Sequence, residues 1–262
     1  MLNFNKNIKI GDRMIGPDYP TYFIAEIGGN FDGSIEKAKR LIDAAKVAGA
    51  DCAKFQTFTA ETIVSEGGFS KMTLHGVHGS WGRTVSDVFK DVEFPMAWHQ
   101  EIADYCKKVG LDFSTSPYFK EAVDLCADMK VPFIKIGSGE ITWLEMLDYT
   151  ARKGIPVMLS TGDATMSEID EAVRTIEKTG NKDLVLLQCI TNYPSKIDSA
   201  NVNVLRTYQN AFDCLTGYSD HSPGHIVALA SVVLGGRVIE KHFTLDKTDK
   251  GPDHPHSMEP DE

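Results

Sequence analysis

The stretch GYSDHSPGHIVALASVVLGGRVIEKHF, residues 217–243, reads as strand, helix and strand in succession. Glycines bound its apolar helical run on both sides, and a histidine closes each strand, His221 and His242. Ser219, Asp220, Glu240 and Lys241 crowd those strand ends, and Asp253 follows in KGPDHPHSMEP. A strand built only for a core would carry apolar residues where this one has Glu-Lys-His. Such a breach of pattern marks a functional position.

The same alternation recurs upstream. Strands are expected near residues 22–27, 52–57, 111–116, 133–138, 156–161, 184–190, 215–219 and 238–243, and a helical pattern follows each of the first seven. Alternating βα units imply a parallel sheet. Eight of them close most simply into an α/β (β/α)8 TIM barrel, with an open doubly wound sheet as the other arrangement. Residues 8–15 read as a short N-terminal hairpin turning at Gly11-Asp12. Ser34 caps a helix that Gly49 stops, and Pro95 opens another. Residues 58–94, with several glycines, Trp81 and Arg83, break the rhythm. A connection that long in a compact domain is usually functional or mobile. The chain reaches SMEPDE where an eighth helix is expected to start. Residues 1–262 thus read as one barrel ending before its eighth helix, with apolar surface open on strand eight and helix seven.

The balance of 27 basic against 37 acidic residues gives a net charge of −10, which disfavours nucleic acid or an anionic membrane as a general partner. No apolar run approaches the roughly 18 residues of a membrane span, and the N-terminus has no signal pattern. Cys52, Cys106, Cys126, Cys189 and Cys214 are odd in number and scattered through strand- and helix-like runs. That usage suits buried thiols in a reducing cytoplasm.

In a barrel of this class the active site lies at the C-terminal strand ends. Those ends carry Glu26; Lys54 and Gln56; Thr115; Lys135 and Ser138; Ser160 and Thr161; Asn192; Ser219 and His221; Glu240 and His242. Two lysines among hydroxyls make a composition for phosphate or carboxylate, and KIGSG and STG offer backbone N–H groups as well. Either lysine alone is also consistent with an ion pair at the barrel mouth. His221 and His242 end neighbouring strands, so their rings are placed to share a divalent transition metal; a hydrogen-bonded pair of core histidines is the other reading. His254 and His256, in a polar terminal loop, are expected to be solvated. Glu240 and His242 share a strand face and Lys241 faces the helices. Glu26 suits an acid, base or sugar-hydroxyl ligand, or the partner of a mouth lysine.

IAEIGGN, KFQTF, FSTSP, FIKIGSGE, LSTG, GYSDHSPG and VIEKHFTLD…GPDHPHSMEP, in this order, resemble the N-acetylneuraminate (sialic acid) synthase family from about Tyr22 to Glu262. The resemblance implies condensation of phosphoenolpyruvate with an N-acyl amino sugar such as N-acetylmannosamine, giving a nine-carbon 2-keto acid and phosphate. It also implies a divalent metal, typically Mn2+, held by His221 and His242. Lys54, Gln56, Thr115, Lys135, Ser138, Ser160 and Ser219 would bind phosphoenolpyruvate, with Asn192 and Tyr193 nearby. Glu26 and Asp253 would bind sugar hydroxyls, and Glu240 would be the acid/base. Phe31 stands where the family usually has histidine, so an altered sugar site is expected. Family members continue into an antifreeze-like domain that completes the partner's site in a homodimer. Without it, binding of phosphoenolpyruvate and metal with little turnover is expected.

The same chemistry serves legionaminic, pseudaminic and spore-coat sugar acids, and residues 58–94 are expected to choose among them. A Schiff-base aldolase using Lys54 or Lys135, and a non-catalytic binding protein, are the readings from other classes.

Overall fold

The computed structural model describes residues 2–69 and 83–262, together with the backbone but not the side chains of Glu66 and Phe69. Residues 70–82, Trp81 among them, lie outside the described residues. A hairpin of β1 (Ile8–Ile10) and β2 (Arg13–Ile15) precedes eight parallel strands: β3 (Tyr22–Glu26), β4 (Cys52–Thr57), β5 (Asp112–Pro117), β6 (Ile134–Ile136), β7 (Val157–Ser160), β8 (Leu184–Cys189), β9 (Leu215–Asp220) and β10 (Val238–His242). The hydrogen-bonded order is β5-β4-β3-β10-β9-β8-β7-β6. The Ser114 hydroxyl donates to the Phe133 carbonyl at 2.7 Å across the remaining seam, beside β5 and β6. The result is a nearly closed (β/α)8 barrel, with the hairpin at its N-terminal end.

The helices follow the apolar periodicity of the chain. In α1 (Ile35–Val47) Ala38, Leu41, Ile42 and Ala45 are buried, and the Ser34 side chain accepts the Lys37 N–H at the N-cap. Residues 58–94 contain short helices at Ala60–Ile63, Glu66–Phe69 and Val85–Asp91. They are followed by a 3-10 turn at Met96–Trp98 that runs into His99–Val109. The later helices, Lys120–Asp128, Leu144–Ala151, Met166–Lys178, Val204–Phe212 and Ile226–Val233, each sit between successive strands.

Alternation along the strands divides the core in two. Inside the barrel, Tyr22, Ile24, Cys52, Phe133, Met158, Val185, Leu187, Leu215 and Val238 pack on Ile8, Ile10 and Ile15 of the hairpin, which plug the bottom. Between strands and helices lies a larger layer that includes Phe31, Phe55, Phe94 and Phe113. Phe31 is fully buried there against Phe55, Phe94 and Trp98 and lines neither mouth cavity, so its expected effect on the sugar site has no direct contact to act through. Ile226, Leu229 and Val233 are exposed beside the half-exposed Phe23, which is the open apolar surface expected on helix seven; strand eight departs from that expectation, because its Val238 and Ile239 are buried. All five cysteines are buried free thiols. Among the described residues no helix is long and apolar enough to cross a membrane.

Gly217 shows how tightly β9 and β10 approach. A Cβ there would overlap the Val238 carbonyl oxygen and meet Leu187 Cδ2 at 2.7 Å. Gly217→Ala is therefore expected to destabilise the protein by about 1–3 kcal/mol, read as a lowered urea midpoint at unchanged m-value.

Candidate functional site

Register decides which polar side chains meet. Cys52, Lys54 and Gln56 face inward on β4, and β5 pairs with it as Lys54↔Ser114 and Gln56↔Ser116. Thr115, opposite Phe55, therefore faces outward. Its hydroxyl lies 2.8 Å from that of Thr57, which meets His99 Nε2 at 2.6 Å. The expectation that Thr115 reaches the mouth is corrected: Ser116 does so, accepting from Lys54 Nζ at 3.1 Å. Inward alternation also brings Glu26, Ser219, Glu240 and His242 to one rim, with Glu240↔Ser219 and His242↔Glu26 in register.

At the centre lies a buried cluster of charges. Lys54 Nζ is 2.6 Å from Glu26 Oε2 and 3.8 Å from Glu240 Oε2, and Lys135 Nζ is 3.3 Å from Glu240 Oε1. Gln56 donates to Glu26 Oε1 at 2.6 Å and Ser219 to Glu240 Oε1 at 2.9 Å. The two carboxyls are driven apart. Burial raises Glu26 to about 7, with Lys54 opposing and Glu240 adding to the rise. Burial also pushes Glu240 up, but Lys135 and Lys54 outweigh it and bring it to about 2. Burial lowers Lys54, while Glu240 and Glu26 more than compensate and hold it above its usual range. A Schiff-base lysine needs the opposite shift, which counts against that reading for Lys54.

Above the cluster, a cavity of about 160 Å3 is lined by Lys54, Lys135, Ser116, Ser138, Ser160 and Ser219, among others. Among the described residues the Ser160 hydroxyl is buried without a partner, and Ser138 Oγ accepts the Gly162 N–H at 3.0 Å. Glu140, which sequence reading missed, also lines it. Asn192 does not: it is exposed, and the neighbouring Thr191 and Tyr193 reach the cavity instead.

The imidazoles form the adjoining wall. The rings of His221 and His242 are 5.4 Å apart between centroids, and Tyr193 lies over His221 at 4.0 Å. His254 and His256 are buried, which corrects the expectation of solvated rings. His254 is structural: Thr244 Oγ1 lies 2.6 Å from its Nδ1 and Asp32 Oδ1 is 3.0 Å from its Nε2. Lys37 bridges Asp32 and Asp249 beside it, so an ammonium already occupies that acidic group. His256 packs 4.6 Å from His242, and one ligand atom each from His242, Asp253 and His256 lies within 4.8 Å of the others. The HPH spacing carried that signal, but its polar neighbours hid it.

These residues suit a divalent metal. Among the described residues, His242 Nδ1 and both ring nitrogens of His256 are buried without hydrogen-bond partners, and the lone-pair nitrogen of each neutral ring is free to meet a cation. The His221 Nδ1 position faces the Ile190 carbonyl at 2.8 Å, which places its proton there and leaves Nε2 as the donor lone pair. Burial lowers His221 to about 4 and His242 well below the usual histidine range, with neighbouring imidazoles adding to the latter. Neutral rings are what metal ligation needs. Asp253 Oδ2 accepts the Gly29 N–H at 2.9 Å. Gly28, at φ 52°, leaves room for that carboxylate, which a Cβ would overlap.

A barrel with an anion cavity and an imidazole–carboxylate group at its C-terminal mouth belongs to a class of barrel enzymes. The sequence profile of the NeuB family matches residues 41–262. The chain is 39% identical to N-acetylneuraminate-9-phosphate synthase from Mus musculus, covering 95% of this chain and 69% of that protein. It is 38% identical to N,N'-diacetyllegionaminic acid synthase from Campylobacter jejuni, covering 92% and 73%. The crystal structure of N-acetylneuraminic acid (sialic acid) synthetase from Leptospira borgpetersenii in complex with citrate superposes with a TM-score of 0.89 at 30% identity, covering 99% of this chain and 86% of that one. The chain belongs to the NeuB family, and its similar proteins include sugar-acid synthases.

In the metal-free protein, the lowered pKa of His221 makes folding favour the neutral ring. That contribution is full above about 6.5 and is lost as pH falls towards 4. His242 and His256 are lowered too, so they add with the same sign. The urea midpoint in EDTA is expected to fall between pH 7 and pH 5, less steeply in His221→Asn; equal slopes would contradict this assignment.

Proposed function

We propose that this chain condenses phosphoenolpyruvate with an N-acyl amino sugar resembling N-acetylmannosamine, giving a nine-carbon 2-keto acid and phosphate. The supporting observation is a serine- and lysine-lined cavity sharing a wall with a group of neutral imidazoles. One side suits a compact anion and the other the aldehyde oxygen of an acceptor. Lys54, Lys135, Ser116, Ser138, Ser160 and Ser219 would hold phosphoenolpyruvate, with Gln56 and Tyr193 at the boundary.

His221 and His242 would hold a divalent metal, with Asp253 and His256 on its flank; Mn2+ suits imidazole and carboxylate donors. Bound there, it would supply Lewis acidity to the aldehyde oxygen. In the reaction, C3 of the enol forms a bond to the aldehyde carbon, whose oxygen takes a proton. Water adds at C2 and loses one proton, and the C2–O bond to phosphate then breaks as the new C2 hydroxyl gives up its remaining proton to the departing phosphate, leaving the 2-keto acid.

Glu26, raised to about 7, is suited to pass a proton near neutrality. Glu240 begins as the anion between two lysines, and an entering phosphoenolpyruvate would compete for those ammoniums. Its proton affinity would rise as the substrate binds, so Glu240 would accept the water proton only in the loaded site.

Only slow phosphate release is expected when the protein is given phosphoenolpyruvate, Mn2+ and N-acetylmannosamine, and none when any one is left out. Lys135→Met is expected to weaken phosphoenolpyruvate binding about tenfold to a hundredfold by calorimetry, in line with loss of a charge-assisted hydrogen bond. His242→Ala is expected to remove tight Mn2+ binding, followed by the free-ion electron paramagnetic resonance signal. Unchanged Mn2+ affinity would place the metal elsewhere.

A further inference from the structure

The geometry points to an apolar specificity subsite that receives a methyl group of the acceptor sugar, beyond the imidazole wall. This inference rests on the condensing function proposed above. A second cavity, of about 250 Å3, shares Gln56, Tyr118, Thr191, Tyr193 and His242 with the anion cavity. An acceptor whose aldehyde lies at the shared wall must extend its remaining carbons into this second space.

The far side of that space is unlike a site for sugar hydroxyls. Phe58, Ile63, Phe89 and Val92 line it, from the end of β4, the turn of Ala60–Ile63 and the helix Val85–Asp91. Phe58 and Val92 are buried, whereas Ile63 and Phe89 are half-buried. Phe58 is fixed by ring contacts to Phe89 at 5.4 Å and Tyr118 at 5.8 Å. An aromatic and branched surface gains by covering a methyl and loses by desolvating a hydroxyl without a partner. On an amino sugar the methyl has two sources, the N-acyl group or a 6-deoxy carbon. The same four side chains serve either.

The test uses sugar alcohols, which lack the aldehyde and do not react. Calorimetry measures binding to the protein saturated with phosphoenolpyruvate and Mn2+. N-acetylmannosaminitol is compared with its N-formyl analogue, which lacks one methyl, and with its 6-deoxy analogue. If the acyl methyl fills the subsite, the N-formyl compound binds about fourfold more weakly. If the deoxy carbon fills it, the 6-deoxy compound binds tighter than its parent by a similar factor. In Ile63→Asn the ratio that marks the source is expected to collapse, with phosphoenolpyruvate binding unchanged. Ratios near one for both pairs, or ratios that persist in Ile63→Asn, would overturn the subsite. Binding of phosphoenolpyruvate with no binding of any sugar alcohol would also overturn it, leaving the anion site intact. Failure to bind phosphoenolpyruvate would instead overturn the function on which it rests.

Discussion

Two lysines and two glutamates, all buried, meet inside the barrel mouth: Glu26 from β3, Lys54 from β4, Lys135 from β6 and Glu240 from β10. Taking four charges out of water costs several kcal/mol per ion unless each finds its partners. Here the formal charges cancel, and Gln56, Ser116 and Ser219 satisfy further lone pairs and protons. The group cannot be trimmed piecemeal, because removing one member leaves an uncompensated charge in a site of low polarisability. It also sets the electrostatics above it, since the same lysines that neutralise Glu240 face the anion cavity. Stability and the proposed ligand binding would therefore draw on the same ammonium groups.

The barrel itself was readable because its cause is local. Each βα unit carries its own apolar period and stop signals, and the eight strands fall within about a residue or two of the expected places. Most strand-end residues also arrive together, because alternation and parallel register leave few choices. Reading failed where a side chain's face depends on a partner strand. In FSTSP two serines flank a threonine, and only pairing with β4 shows that Ser116, not Thr115, turns inward. His254 and His256 failed for another reason. Their neighbours Lys250, Gly251 and Asp253 give the composition of a solvated loop, yet long-range contacts to Asp32 and the His242 wall bury both rings. The apolar far wall was equally hidden, being assembled from the irregular 58–94 connection.

Kinship and geometry bear on different questions. Relatives named for different sugar acids share this chain's sequence at similar identity, so overall similarity does not choose among acceptors. The anion cavity draws on strands all around the ring, whereas the second cavity draws much of its wall from one irregular connection. Under the proposed function, variation in that connection would alter the acceptor while leaving the charge cluster untouched, as expected where loops diversify a fixed scaffold.

The tether that carries Asp253 and His256 is clamped to the first βα loop. The Asn30 amide donates to the Phe243 carbonyl and to Ser257, 213 and 227 positions away, and Lys37 reaches Asp249. The imidazole–carboxylate group therefore exists only after the two ends of the barrel have found each other. Contacts so distant in sequence are costly to close and form late in folding. The imidazole–carboxylate group thus marks completion of the ring, because its Asp253 is held to the first βα loop through the Gly29 N–H.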